Sequence, residues 1–345
     1  MTNKIFLSKT VVKDVAPNDL YIGNTVIVCA RELSIVDYAD DSTRRYFESL
    51  QTRALVMVLP SAMNSLGEIV SAVQRGDGGA VAAGEEGDRE EIVGAVIANL
   101  RMFRLEGRRR RPEYASLECV IPQNGTMVAL EVITEARHGG FNALLGVVDR
   151  LRQTHGDGVF ASNTPAEATE HRRYIFHEGD LSPAARVESV DARNGNTTTI
   201  PCTLCVVRPH VVRSGGLGAV LSFVVDRGFK VAGMQMISLG QVGAEQLLLP
   251  YRGVVSYHAD AVRQLKSGPC VALQIEGGSD VVERFRETCG PADPEVARAL
   301  YPDSIRALLG VQQATNAVHC TDLPEDGLLE CQYIFGIVAK GRNGP

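Results

Sequence analysis

Apolar and polar positions alternate along residues 18–38, NDLYIGNTVIVCARELSIVDY, with breaks at Gly23-Asn24 and near Arg31-Glu32. Period-two patterning with turn residues at its breaks predicts a short antiparallel β module. From Arg53 the pattern becomes a continuous apolar run, RALVMVLP, which predicts a strand covered on both faces. After Pro60 an apolar stripe at helical spacing predicts a helix over 65–74. Residues 75–91, RGDGGAVAAGEEGDREE, combine glycine with charge and predict a flexible insertion. Strands are predicted at 98–105 and 126–133, and helices at 141–153 and 165–173. Residues 182–199 hold Pro, Asn, Gly and Thr with little periodicity and read as a linker.

Beyond the linker the pattern starts again. CTLCVVRPHVVRSGGLGAVLSF follows RALVMVLPSAMNSLGEIVSAVQ in order: an apolar strand, a proline, a short polar turn, Leu-Gly, then an apolar-faced helix. Two copies of one α/β unit are the economical reading. In the second copy the pattern predicts a strand at 203–207, a helix at 216–227 and a strand at 230–238. A helical region at 243–266, a strand in SGPCVALQIEG, and helices at 279–288 and 294–299 follow. Strands separated by helices imply an α+β sandwich, one sheet covered by helices. The copy closes on NAVHCTDLPEDGLLECQYIF, 316–335, with an apolar, strand-like end.

A chain of 345 residues is long enough for two or three domains, and 45% hydrophobic with 22% charged residues is globular. The net charge of -6 argues against a general nucleic-acid or membrane-surface binder, since both need a basic face; the run Arg108 to Arg111 is the local exception. Eight cysteines lack the regular spacing of a disulfide framework, so a reducing compartment is expected. Cys202-x-x-Cys205 lies in a predicted strand with no second pair, which disfavours a metal or redox site. No apolar run approaches the roughly 20 residues that span a bilayer.

The candidate chemistry is His319, three residues after Asn316 and eleven before Glu330. Neutral imidazole is the common side-chain nucleophile that is half available near pH 7, and a carboxylate on its other nitrogen would fix tautomer and orientation. On its own such a histidine reads as a buried, hydrogen-bonded residue; its surroundings favour the nucleophile. SGGLG at 214–218 lacks the GK[ST] ending of a phosphate loop and reads as a turn opening a helix.

Across 199–340 the segments VVRPH, SGP, FRETCGPADP, DSIRALLG and NAVHCTD occur in the order found in the nucleoside diphosphate kinases, which this region resembles. Within 2–47, DLYIGNTVIV followed by ELSIVDYADDSTRR is similar to the end of the DM-ten domain that precedes paired kinase domains in a ciliary branch of that family. The expected division is a partial DM-ten β module at 1–48, a degenerate kinase-like domain at 49–178, a linker at 179–198 and a kinase domain at 199–340. The resemblance implies a ferredoxin-like αβ sandwich for each kinase unit and ping-pong transfer of a γ-phosphate through a phosphohistidine. By position, His319 is the nucleophile, Glu330 orients it, and Asn316 holds the phosphate or ribose side. Arg286 and Arg306 would contact phosphates, for which planar guanidinium forks are suited. Tyr257 would stack on the base, and Mg²⁺ would arrive bridging the nucleotide's phosphates.

Several positions depart from that pattern. Arg208 replaces the lysine of a KPD-type turn, keeping charge but not shape. His210 replaces the acidic residue after it, Ala292 a threonine, and an expected tyrosine falls at Leu248 or Leu249. In the first copy the corresponding turn is Leu59-Pro60-Ser61, with no cation. Phe160 falls where the histidine should be when the copies are aligned on Tyr174-Ile175-Phe176, and His155 and His171 are off position.

Two functions follow from the resemblance. One is a ciliary or flagellar protein of the axoneme, lodged in doublet microtubules and bound to tubulin and other axonemal proteins, with weak phosphotransfer in the C-terminal domain. The other is an active kinase passing the γ-phosphate of ATP to nucleoside diphosphates. The first places the chain in the cytoplasm and cytoskeleton, and Arg108 to Arg111 would be either a tubulin contact or a solvated loop. Nucleic-acid and membrane partners are not expected. The two copies are expected to pair within the chain as a pseudo-dimer, because linkage raises their effective concentration.

Overall fold

The computed structural model describes residues 25–29, 31–35, 37–76, 95–104, 117, 119–122, 124–135, 139–178, 181–185, 188–190 and 197–338, with positions 12, 15, 20 and 21. The hairpin of β1 (Thr25–Val28) and β2 (Arg31–Ser34) reverses between Val28 and Arg31, which face each other. The turn therefore precedes the place expected near Arg31-Glu32. Cys29 takes φ +50°, the left-handed conformation a two-residue hairpin connection needs. Gly23 and Asn24 lie outside the described residues, as do the Arg108 to Arg111 run and all but the first two positions of the 75–91 insertion.

The opening stretch is not all β. Helix α1 (Asp41–Leu50) starts because the Asp40 carboxylate accepts from the Thr43 N–H at 2.6 Å, satisfying one of the free amides of a first turn.

The first copy follows as β3 (Gln51–Val58), a 3-10 turn at Pro60–Ser65, α2 (Leu66–Arg75), β4 (Val96–Arg104), β5 (Thr126–Glu135), α3 (Gly140–His155), β6 (Val159–Ala161) and α4 (Pro165–Arg173). The stretch read as linker is not featureless. It holds β7 (Ser182–Pro183), paired with β4, and β8 (Glu188–Val190), paired with β9 (Thr197–Thr199). The second copy is β10 (Cys202–Val207), α5 (Pro209–Arg213), α6 (Leu217–Asp226), β11 (Lys230–Ile237), α7 (Gln241–Leu247), α8 (His258–Leu265), β12 (Cys270–Glu276), α9 (Val281–Cys289), α10 (Pro294–Leu300), α11 (Ile305–Leu309), β13 (Val318–Cys320) and α12 (Asp326–Cys331). The helical region predicted at 243–266 is two helices, parted where Pro250 sits in a 3-10 turn, Leu249–Tyr251. The end that reads as a strand, QYIF, is a π-helical continuation of α12 over Gln332–Val338.

The nine-stranded sheet runs β13-β10-β12-β11-β4-β5-β3-β6, with β7 on β4. Each half has the same strand order, and the halves meet edge to edge at β11 and β4, Gln235 facing Arg101. Over this seam α2 and α6 cross through reciprocal small residues. A Cβ on Gly67 would stand 2.3 Å from the Ser222 backbone N, and one on Gly218 2.5 Å from the Ser71 backbone N. The reciprocity describes an approximate twofold axis between the halves.

Alternation along the strands divides the core. Ala54, Val56 and Val58 of β3, like Cys205 and Val207 of β10, face a cluster shared by both halves under α2, α3, α6 and α9. Leu55 and Met57 face a second cluster that belongs to the first half, and Leu204 and Val206 a third under α7, α8 and α12. Each fully buried leucine contributes roughly 1.5–3 kcal/mol. The third cluster forms the floor on which the candidate histidine stands.

Candidate functional site

His319 sits in β13 opposite Val206, while Val318 and Cys320 on either side point into the shared core. Its side chain is 3% exposed. Nε2 stands 3.3 Å from Glu330 Oε2, and the same oxygen accepts from Thr321 Oγ1 at 2.8 Å. Thr321 is itself fixed by the Leu204 N–H, 3.0 Å from Oγ1. Burial raises the Glu330 carboxyl, but the hydrogen bond and charge of His319 and the Thr321 hydroxyl together hold it below its ordinary value. An ionised Glu330 accepts a hydrogen bond from Nε2–H, which leaves the lone pair of a neutral ring on Nδ1.

The residues entering β13 are strained. Ala317 has φ +72°, a left-handed conformation uncommon for a residue with a side chain, and the Arg208 N–H holds its carbonyl at 2.9 Å. Beside it the buried Asn316 donates from Nδ2 to the Ala292 carbonyl at 3.0 Å, and its Oδ1 has no partner among the described residues.

Two buried cations line the same place. Arg306 donates to the Gly290 and Val318 carbonyls at 2.7 and 3.1 Å, and Arg208 to the Ala314 carbonyl at 3.2 Å. The Nε of each is buried without a hydrogen-bond partner among the described residues. Burial first, then the charge of Arg306, lowers the Arg208 pKa to about 10, so it stays a cation at neutral pH. Buried donors and acceptors are almost always paired, so the unpaired Nε of Arg208 and of Arg306 leave donors that suit an anion, and the unpaired Asn316 Oδ1 leaves an acceptor that suits a hydroxyl.

Arg286 is more exposed and holds Asp322, through the backbone carbonyl at 3.1 Å and Oδ1 at 3.3 Å. The other Asp322 oxygen accepts from the Tyr251 hydroxyl, and the Tyr251 ring meets His319 edge to face at 6.4 Å. Burial and the adjacent Asp322 carboxylate push the Tyr251 phenol above its ordinary value, so it remains a donor. Tyr251, two residues beyond Leu249, is thus the tyrosine that lies against His319. Leu248 is buried beneath the helices and Leu249 is 58% exposed. Sequence reasoning passed over Tyr251 because it lies two positions later in the same LLLPY run; Thr321 and Asp322 were legible only as close neighbours of His319. Tyr257 is half-buried at the start of α8, near enough to Arg208 for its phenol to influence that guanidinium.

Cys202 and Cys205 do not form a pair. Three residues apart on one strand, they face opposite sides of the sheet, Cys202 in one core cluster and Cys205 in another. Among the described residues no group of three or more His, Cys, Asp or Glu could hold a metal ion, and no helix is long and apolar enough to cross a membrane.

The first half keeps the frame of this site without its chemistry. Phe160 faces Met57 in the register where His319 faces Val206. Ser162 Oγ lies 2.8 Å from His171 Nδ1, repeating the Thr321 to Glu330 bond, and the Ser162 N–H bonds to the Leu55 carbonyl as the Thr321 N–H bonds to that of Leu204. His171 thus takes the place of Glu330, and His155 lies apart, 3.9 Å from Glu68.

The family profile described as "Nucleoside diphosphate kinase" matches residues 201–338. A protein of Mus musculus named nucleoside diphosphate kinase homolog 7 is 33% identical over 365 residues, covering 97% of this chain and 84% of its own. The Rattus norvegicus protein of the same name is 34% identical over 357 residues, with the same two coverages. A nucleoside diphosphate kinase of Aquifex aeolicus is 35% identical over 133 residues, covering 39% of this chain and 92% of its own.

Proposed function

The chain belongs to the nucleoside diphosphate kinase family, and on that premise we propose that its C-terminal unit, residues 199–340, is a phosphotransferase acting through His319. Support comes chiefly from one observation: Arg208, Arg306 and Asn316, bonded to or preceding the strand that carries His319, keep buried polar atoms without partners among the described residues, while His319 Nε2 is already tied to Glu330. Nδ1 attacks the γ-phosphorus of a nucleoside triphosphate; the bond to the β-phosphate oxygen breaks and the nucleoside diphosphate leaves. A second nucleoside diphosphate then takes the phosphoryl group from His319. Mg²⁺ would enter with the nucleotide and would supply positive charge to its phosphates. Arg208 and Arg306 stabilise the charge spread over the transferring oxygens, Arg286 and Tyr251 hold Asp322 at the rim, and Tyr257 offers a face to the base.

Incubation of the full chain with ATP and Mg²⁺ should place an acid-labile, base-stable phosphate on His319, and His319→Ala should remove it. A folded wild-type chain with no such label would sink the reading.

A second reading rests on the first half, residues 49–178, which keeps the fold and replaces the nucleophile with Phe160. In it the chain is a cytoskeletal component of the ciliary or flagellar axoneme, bound to doublet tubulin and neighbouring axonemal proteins, as the DM-ten resemblance of residues 2–47 implies. Co-sedimentation with microtubules checks it, and absence of binding at low salt rejects it.

A further inference from the structure

Arg208 is held by a side-chain relay that the kinase chemistry does not by itself require. Its Nη1 is shared between the Ala314 carbonyl and Gln264 Oε1, 3.3 Å away. Gln264, on α8, places its other end, Nε2, 2.9 Å from His210 Nδ1. An amide has one accepting and one donating end. Oε1 can face Arg208 only while Nε2 faces His210, and Nε2 can donate only to an unprotonated Nδ1. His210 meets that condition. Burial, then the charges of Arg208 and Arg213, lower its pKa to about 4, with the Leu309 backbone of α11 opposing. With Nδ1 accepting from Gln264, the proton of the neutral ring falls on Nε2, which is buried without a hydrogen-bond partner among the described residues, and the polarity of the relay follows.

We infer that Gln264 is a positioning residue for phosphate recognition: bonded to His210 at one end, it anchors one arm of Arg208 at the other and so fixes the orientation of the buried guanidinium toward a nucleoside diphosphate. The inference rests on the nucleotide-binding part of the function proposed above. It accounts for how a planar guanidinium is seated where the family resemblance expects a lysine. A lysine's flexible ammonium can swing to its ligand, whereas a fork must be aimed.

The test uses the full chain labelled with ¹⁵N-histidine, as wild type, Gln264→Leu and Gln264→Glu, followed by long-range ¹H–¹⁵N spectra between pH 5 and 8 and by titration with ADP. Wild-type His210 should stay neutral with its proton on Nε2 throughout. Gln264→Leu should weaken ADP binding about tenfold, the loss expected for one hydrogen bond to a charged group. The rate of His319 labelling at saturating nucleotide should change much less. Gln264→Glu keeps an acceptor for Arg208 but offers His210 no donor, so His210 should take up a proton within this pH range and ADP affinity should follow that titration. A residue that merely fills space would not produce this link. Should Gln264→Leu fail to fold, Gln264→Glu carries the test. A wild-type His210 that titrates within the range or carries its proton on Nδ1 overturns the inference, and so does ADP affinity indifferent to both substitutions. Wild-type binding of ADP with the Gln264 dependence but without label on His319 removes the transferase reading and leaves this inference standing.

Discussion

The two halves of the sheet share strand order and backbone hydrogen bonds, and they differ at the connection that leads into the last strand of each. In the first half residues 156–158 carry the chain from α3 to β6; in the second, residues 290–317 lie between α9 and β13. Both connections close with the same bond, Leu59 N–H to the Gly158 carbonyl at 2.8 Å and Arg208 N–H to the Ala317 carbonyl at 2.9 Å. The sheet register therefore fixes the place of Phe160 in one half and of His319 in the other, and the long connection of the second half carries Arg306, Asn316 and the strained Ala317. On the proposed function, the short connection of the first half sets it apart from the second more than Phe160 alone does.

The largest effect should come from trying to undo that exchange. In His319→Ala, adding Phe160→His should restore no acid-labile label, because the first half has Leu59 where Arg208 stands and no counterpart of Arg306 or Asn316. Label in the double variant, mapped to residue 160 by mass spectrometry, would mean that the nucleophile alone was missing.

Next in size is the pair at the Glu330 position. Glu330→Gln should slow His319 labelling about 10- to 100-fold, the range for a lost hydrogen bond to a charged group, measured in single turnover. His171→Gln, at the matching place in the first half, should leave that rate unchanged.

The seam offers a symmetrical comparison of smaller effect. Gly67→Ala and Gly218→Ala each push a methyl into the opposing helix backbone and should destabilise by about 1–3 kcal/mol in denaturant titration. Equal costs would mean the twofold relation is energetic as well as geometric; a marked inequality would show that one half yields.

The smallest effect is a proton linkage. His171 is lowered from 6.5 by burial, against the opposing charges of Glu167 and Glu170, and His210 is lowered to about 4. The unfolded chain binds more protons than the folded one as pH falls, so this stability is complete above about 6.5 and is lost as pH drops toward the folded values. Glu330, also depressed, withdraws its contribution only further down, as pH falls through its folded value. Melting midpoints should fall between pH 6.5 and 4.5, and His171→Gln should flatten part of that slope.

Much of this contrast is legible in the residues alone. The repeated strand, proline and Leu-Gly order marks both copies, and the spacing of Asn316, His319 and Glu330 survives as geometry because those positions enter adjoining elements. The seam was visible only in part. Leu66-Gly67 and Leu217-Gly218 recur at one place in each copy, but the reason, a crossing between distant helices, is non-local. QYIF could not be assigned by pattern, since a short apolar run fits a strand or a buried helical turn equally. Tyr251 was missed because it lies two positions past the expected place, in a run that the sequence pattern reads as helical, and α1 because its cap signal at Asp40 comes directly after the alternating run 18–38.

The edge-to-edge union of β11 with β4 lies within one polypeptide. An assembly of identical chains falls apart on dilution and feels every substitution twice. This pairing is indifferent to copy number, and each substitution is felt once. One half is thereby free to differ from the other in its surface and its pockets, and a single molecule presents two different faces at a fixed one-to-one ratio.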